Sequence, residues 1–297
     1  MSAVKNYLSL VKFSHTIFAM PFAVIGFFLG TAISSPLLGE RGLRGEAKLF
    51  FLVILCMIFA RNSAMAFNRW ADNKYDKENI RTKIREIPSE IISSGNALVF
   101  VITNCLLFIA TTFFINRICF FLSPVALAVI LGYSYTKRFT PLCHIILGLG
   151  LSLAPIGAFL AVTGEFRLLP LLYSFVVLFW VSGFDIIYAL QDEEFDRSQN
   201  LKSIPVLMGR KNALLFSRIL HLIAALMVLF AGYFAWFHLW YWMGAGIFIS
   251  LLIYQHTVVK PNDLRKVNLA FFTTNGIASV VFAAFFLLEL FGYQLSK

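Results

Sequence analysis

Charge is the property this sequence has least of. Only 13% of its 297 residues are Asp, Glu, Lys or Arg, about half of what a soluble domain carries. A surface that poor in charge is not wetted by water, which excludes a soluble globular protein. Proline is scarce too, at 9 residues, and a chain so apolar and so poor in proline does not stay disordered. The four cysteines, Cys56, Cys105, Cys119 and Cys143, show no Cys-x-x-Cys or His–Cys spacing and fall within or beside apolar runs. They read as small buried hydrophobes rather than as disulfides or metal ligands. No stretch resembles a separate soluble domain or a long flexible linker, so residues 1–297 read as one domain.

What the chain has instead is apolar surface. Hydrophobic residues make up 59%, Phe alone occurs 33 times, and the mean hydropathy is +0.79. These values describe an integral membrane protein with the lipid bilayer as its main solvent. A spanning helix needs about 20 apolar residues, and nine such runs are expected, at 14–34, 49–71, 97–115, 119–136, 143–163, 168–191, 213–233, 236–256 and 268–291. The first is too long for a signal-peptide core and has no convincing cleavage site, so it reads as a retained helix. The expected architecture is all-α, with nine transmembrane helices bundled around a central cavity.

The net charge of +10 calls for no nucleic acid in such a chain. Basic residues collect in the loops that alternate spans leave on one side of the bilayer. The group comprises Lys5 and Lys12, the Lys74–Arg85 stretch, Lys137 and Arg138, the Arg197–Arg218 stretch, and Lys260, Arg265 and Lys266. Seventeen fall there against six on the other side, which puts the N-terminus in the cytoplasm and, with nine spans, the C-terminus outside. The expected location is the cytoplasmic (inner) membrane of a bacterium. Ten of the fifteen acidic residues share the basic side. The charge rule for loops asks nothing of acids, so their clustering needs another cause.

The acids form two clusters. In the first, Asn68, Asp72 and Asp76 are spaced i, i+4, i+8 at the cytoplasmic end of the second run, on one helical face with about 40° of drift per step. Arg61 and Met65 extend that stripe toward the membrane. In the second, Asp192 and Asp196 repeat the i, i+4 spacing, and Asp185 lies two turns deeper on nearly the same face. A carboxylate that far inside a span costs about 2.5–3.5 kcal/mol to insert and is a functional candidate for that reason. Converging carboxylates repel one another unless a cation sits between them, and hard oxygen donors of this kind suit Mg²⁺ bridging to phosphates. Arg81, Arg85, Lys137, Arg138 and Lys202 follow the acids closely. Carboxylates for the metal with guanidinium and ammonium groups for phosphate oxygens make up what a diphosphate requires. A transporter or ion pathway would instead place its charges near the bilayer midplane, among broken helices. The Asp-rich signature of phosphatidyl-group transferases is absent.

Asn68-x-x-x-Asp72-x-x-x-Asp76, Arg81-Thr-Lys-Ile-Arg85-Glu-Ile-Pro88-Ser, Tyr133-Ser-Tyr-Thr-Lys-Arg138-Phe-Thr, the Asp185–Asp196 segment and Lys202-Ser-Ile-Pro-Val-Leu-Met-Gly209 together resemble the UbiA superfamily of intramembrane aromatic prenyltransferases. The order and spacing hold across essentially the whole chain. The resemblance implies Mg²⁺-dependent transfer of a polyprenyl group from polyprenyl diphosphate to a small aromatic acid, in quinone biosynthesis. Its motifs look most like those of 4-hydroxybenzoate polyprenyltransferases, with dihydroxynaphthoate-using relatives as the alternative. It implies Asp72, Asp76, Asp192 and Asp196 with Asn68 as metal ligands, and Arg138, Lys202, Arg81, Arg85 and Lys137 for the diphosphate. Asp185, with Tyr188 nearby, is the candidate for orienting the acceptor phenol or taking its proton. Two residues depart from the family pattern. Arg69 stands where many relatives have Asp, and Glu90 where Gly often follows Pro-Ser. His15, His144, His221, His238 and His256 have no ligand spacing and read as interfacial or packing residues, and Glu289 as a residue reaching the outer interface.

Overall fold

A backbone in lipid has no water to satisfy its N–H and C=O groups, so apolar runs of this length fold into helices whose hydrogen bonds close within the segment. The computed structural model describes residues 3–11, 18–34 and 42–295. Lys12, His15, Arg41 and Lys297 lie outside the described residues, as do residues 14–17 of the first expected span. The helices in chain order are α1 (Ala3–Leu10), α2 (Met20–Ser34), α3 (Gly42–Ala71), α4 (Asn73–Glu78), α5 (Ser94–Phe113) and α6 (Arg117–Thr136). They continue with α7 (Cys143–Thr163), α8 (Leu168–Ala189), α9 (Glu193–Ser198), α10 (Ile204–Phe234), α11 (Leu239–Val258) and α12 (Asn275–Leu295). A helix occupies each expected run. Seven of these segments are long and apolar enough to cross a membrane. The other two fall short for different reasons: α2 is a shorter apolar helix over its described length, and α11 is diluted by Trp240, Tyr241, Trp242, Gln255 and His256. Among the described residues, length and apolarity therefore establish seven spans rather than nine.

The bundle is knit by α7 against α2 and α8, α8 against α10, α3 against α5, and α11 against α12. Its main core is aromatic. Phe22, Tyr173, Trp180, Tyr241, Phe248, Phe282 and Phe286 are fully buried together, many of them edge to face, as Trp180 is on Phe248 at 5.6 Å between centroids. Helices in lipid gain little from hydrophobic transfer and associate instead through close van der Waals packing at small residues. Gly26 on α2 is such a point, since a Cβ added there would lie 2.0 Å from the Pro155 carbonyl oxygen of α7.

Two polar features differ from the expectation drawn from sequence. Glu289 is buried against the protein, accepting hydrogen bonds from the His238 amide at 2.6 Å and the Tyr241 amide at 3.3 Å. It thereby satisfies the open N-terminus of α11, where a carboxylate also meets the positive end of the helix dipole. His221 and His256 are packing residues as expected, but they pack as a pair. His221 Nδ1 lies 2.9 Å from His256 Nε2, and its Nε2 lies 3.2 Å from the Trp180 carbonyl. The four cysteines are free thiols.

Substituting Gly26→Ala should force α2 off α7 and destabilise the bundle by about 1–3 kcal/mol. A lowered thermal midpoint in detergent, read by tryptophan fluorescence, checks this.

Candidate active site

The two acidic stretches keep their four-residue spacing through a break in the helix. α3 ends at Ala71 and α4 begins at Asn73, yet the Asp72 amide still donates to the Asn68 carbonyl at 2.9 Å and the Asp76 amide to the Asp72 carbonyl at 2.8 Å. Asp72 itself has φ −90°, ψ 6°. In the second stretch a short 3₁₀ turn over Leu190–Asp192 follows α8, and Asp192, with φ −105°, ψ 4°, precedes the six-residue α9. Both aspartates thus sit in the sparsely used bridge region, each just before a six-residue helix.

They meet across a polar cavity of about 200 Å³ lined by Asn68, Asp72, Asp76, Asp192 and Asp196, with Asp185 and Tyr188 at its inner end. Arg81, Arg85, Lys137 and Arg138 line the same space. Each acid faces a cation. Arg85 Nη1 reaches both oxygens of Asp76 at 2.8 and 2.9 Å, Arg81 Nε lies 3.0 Å from Asp192, Lys137 Nζ lies 2.6 Å from Asp196, and Arg138 Nη2 lies 3.7 Å from Asp72. Arg138 also donates to the Ala71 carbonyl at 2.7 Å. Asn68 Nδ2 donates to Asp72 at 3.2 Å. Arg81 belongs to the loop after the first acidic stretch but pairs with the second, and Asn79 Nδ2 reaches the same carboxylate at 3.4 Å. The two stretches are therefore tied to one another.

Lys202 does not join this group. Its side chain is exposed and outside the cavity lining; its backbone instead donates to the Lys137 carbonyl at 2.7 Å, holding the end of α6. Arg69 is buried and paired with Glu86, which also accepts from Ser9 in the last turn of α1. The loop that carries Arg81 and Arg85 is thereby fastened from two sides. Glu90 adopts φ 61°, the left-handed conformation that glycine enters without strain.

Below the polar cavity lies a second, apolar chamber of about 560 Å³, with walls that include Val53, Met57, Val129 and Leu151. Asn68, Arg85, Tyr133, Leu147, Asp185 and Tyr188 line both spaces and form the junction between them. Tyr188 is held there on both sides. Its hydroxyl accepts from Arg81 Nη1 at 3.1 Å, and its ring stacks on Phe271 at 4.2 Å between centroids. Phe271 comes from a π-helical turn, Leu269–Thr274, whose extra residue swings it inward. Asn275 fixes that turn, donating to the Ala270 and Phe271 carbonyls while accepting from Trp180 Nε1 and Gln255 Nε2. Sequence periodicity gives no sign of Phe271, because a π-turn leaves no pattern of its own. It gives none of His144 either, which lies 2.7 Å from Asp185 and is a site residue rather than a packing one.

The donor set fits a hard divalent cation: four carboxylates and an amide, all oxygen donors, around one small polar cavity. Among the described residues Asp196 Oδ2 is buried with no hydrogen-bond partner, an acceptor left over for a cation. Among the described residues no three metal-binding side chains are already gathered on one point, because each carboxylate is turned toward its own Arg or Lys. Burial and the nearby Asp76 push the Asp72 carboxyl up to about 6, against the pull of Lys137, Arg138 and Arg85. At Lys137, burial alone would lower the ammonium, but the Asp196 carboxylate outweighs it and holds the group above its ordinary value.

Below about pH 6 Asp72 is protonated, so a cation binding there must displace a proton. Divalent affinity should be level above pH 7 and fall by up to about tenfold per unit below 6. Calorimetric titration with Mn²⁺ at pH 5, 6 and 7.5 checks this, and Asp72→Asn should flatten the dependence.

Residues 19–288 match the sequence profile of the UbiA prenyltransferase family. The 4-hydroxybenzoate octaprenyltransferase of Aliivibrio fischeri (strain MJ11) is 27% identical over 241 residues, covering 80% of this chain and 82% of that one. The enzyme of the same name from Nitrosomonas eutropha is 28% identical over 244 residues, covering 82% and 84%. Among solved structures, the apo structure of a UbiA homolog from Aeropyrum pernix K1 aligns with a TM-score of 0.81 at 28% identity, over 93% of this chain and 98% of that one. A UbiA homolog from Archaeoglobus fulgidus bound to GPP and Mg²⁺ shares the fold, with a TM-score of 0.71 at 20% identity over 96% and 99%. A helical membrane bundle, a paired set of acidic stretches facing one cavity, and a profile match over nearly the full length lead to one conclusion: this chain belongs to the UbiA prenyltransferase family and is a membrane-embedded enzyme.

Proposed function

We propose that this enzyme transfers a polyprenyl group from its diphosphate to the ring of 4-hydroxybenzoate or a closely similar aromatic acid, at the carbon ortho to the phenol. The observation that carries this reading is the junction of the two chambers. A polar space walled by acids and bases opens directly into an apolar one, matching a molecule with a diphosphate at one end and a hydrocarbon chain at the other. The apolar chamber's size falls in the range of small-molecule sites. The relatives' names supply the acceptor, and the Archaeoglobus homolog, bound to GPP and Mg²⁺, supports the donor and the metal.

Asp72, Asp76, Asp192 and Asp196, with Asn68, would hold Mg²⁺, which supplies positive charge to the departing diphosphate. Arg81, Arg85, Lys137 and Arg138 are already in place around the cavity and would contact phosphate oxygens once the diphosphate and metal draw them from the carboxylates. Cleaving the allylic C–O bond leaves both bonding electrons on the diphosphate, and fixed cations stabilise that charge as it develops. The resulting allylic cation lies at the junction, where the apolar walls keep water from quenching it. The ring carbon ortho to the phenol attacks it, and the ring then gives up the proton from that carbon to the released diphosphate, restoring aromaticity. Asp185, at the same junction, would accept the acceptor's hydroxyl hydrogen bond, with Tyr188 beside it. The excess of basic residues in the loops on this side supports a cytoplasmic N-terminus and a site that faces the cytoplasm of a bacterial cell.

Replacing Asp72 or Asp192 with Ala should reduce product formation by at least about 10³-fold, with expression and thermal midpoint nearly unchanged. The assay is purified protein in detergent with Mg²⁺, geranyl diphosphate and 4-hydroxybenzoate, with product identified by mass. In the same assay EDTA should stop turnover and excess Mg²⁺ should restore it. Turnover indifferent to chelation would overturn the metal assignment.

A further inference from the structure

His144 stands at the first turn of α7 and is almost fully buried, at 3% side-chain exposure. Its imidazole touches two other elements. Nδ1 lies 2.7 Å from Asp185 Oδ2 on α8, and Nε2 accepts from the backbone N–H of Ile204, the first residue of α10, at 3.4 Å. A backbone amide only donates, so Nε2 carries the lone pair. The ring proton of the neutral imidazole is then on Nδ1, and Asp185 Oδ2 must accept it. The N-terminus of α10 thereby selects the tautomer, and the tautomer engages one oxygen of the aspartate. Among the described residues no hydrogen bond engages the other oxygen, Oδ1, and Asp185 lines both chambers.

We infer that His144 is a positioning residue for Asp185. The imidazole holds the carboxylate in one rotamer and leaves Oδ1 free at the junction to receive the acceptor hydroxyl. The inference rests on the reading of Asp185 given under the proposed function and adds what sets that residue's geometry. An outer partner of this kind, hydrogen-bonded to the group that touches substrate, is typically worth about 10–100-fold. Its loss disturbs orientation rather than the binding of the distant diphosphate. Lys137 and Cys143 next to it do not share the role, since Lys137 is paired with Asp196 and the Cys143 thiol faces the Pro141 and Lys202 carbonyls.

The test compares two polar replacements of similar bulk in the full-length enzyme. The side-chain amide of Asn reaches the place of Nδ1, whereas that of Gln reaches the place of Nε2. With Mg²⁺, geranyl diphosphate and 4-hydroxybenzoate, His144→Asn should keep kcat within about threefold of the parent. His144→Gln and His144→Leu should lose about 10–100-fold in kcat with KM for geranyl diphosphate unchanged. In a double-mutant cycle, His144→Leu added to Asp185→Asn should cost nothing further. Equal activity of the Asn and Gln variants, at whatever level, would overturn the inference, as would losses that multiply in the double mutant. A fully active Asp185→Asn enzyme would instead remove the reading of Asp185 beneath it. An inactive Asp185→Asn alongside an unimpaired His144→Gln would remove only the positioning role. Thermal midpoints of all variants in detergent separate unfolding from lost orientation, and the Asn–Gln comparison decides the matter if the Leu variant does not fold.

Discussion

The four aspartates of the two acidic stretches and four basic side chains share one small cavity at the end of an apolar bundle, and the remaining architecture serves to keep them there. Neither set is stable by itself at such a place. Carboxylates drawn together out of bulk water repel, and so do guanidinium and ammonium groups. Interleaved, with Arg81 on Asp192, Arg85 on Asp76, Lys137 on Asp196 and Arg138 near Asp72, they neutralise one another. On the reading proposed above, an anionic headgroup arriving with divalent counterions would give each acid a metal in place of its base and each base a phosphate oxygen in place of its acid, so opening the site would strand no charge in a poorly solvated space.

The helices explain how such a cluster forms without collapsing into the core. Asp72 and Asp192 interrupt their helices at equivalent points, and the acids of both stretches line one cavity at these helix ends. Further in, side chains are mostly apolar, and Trp180 and Phe248 belong to the buried aromatic core. The boundary between these two environments runs through Asp185, Tyr133 and Tyr188. Chemistry that needs a charged leaving group on one side and a dry hydrocarbon on the other belongs at such a boundary.

Much of this is legible in the amino-acid order because the chemistry is periodic. Asn68, Asp72 and Asp76 repeat at the spacing of a helix, as do Asp192 and Asp196, and the spacing survives the break since the backbone bonds across it survive. Apolar runs mark the helices for the same reason. What is not legible depends on contacts between distant segments. Nothing near Lys202 in the chain says that its main chain, rather than its ammonium, is what the structure uses. A histidine 41 residues from Asp185 carries no spacing signal, although the two are in direct contact. Glu289 resembles an interfacial acid until the start of α11 is seen to lie against it. Arg69 looks like a departure from the family pattern, and only the fold supplies Glu86 as the partner that makes a buried guanidinium tolerable.

The guanidinium of Arg81 serves more than one neighbour: it holds the Asp192 carboxylate and donates to the Tyr188 hydroxyl. The tyrosine ring is clamped separately by Phe271, so the tyrosine keeps its place whatever the guanidinium does. The carboxylate of the second acidic stretch and the hydroxyl at the junction are thus coupled through one side chain, and a change at the polar mouth is felt at the threshold of the apolar chamber.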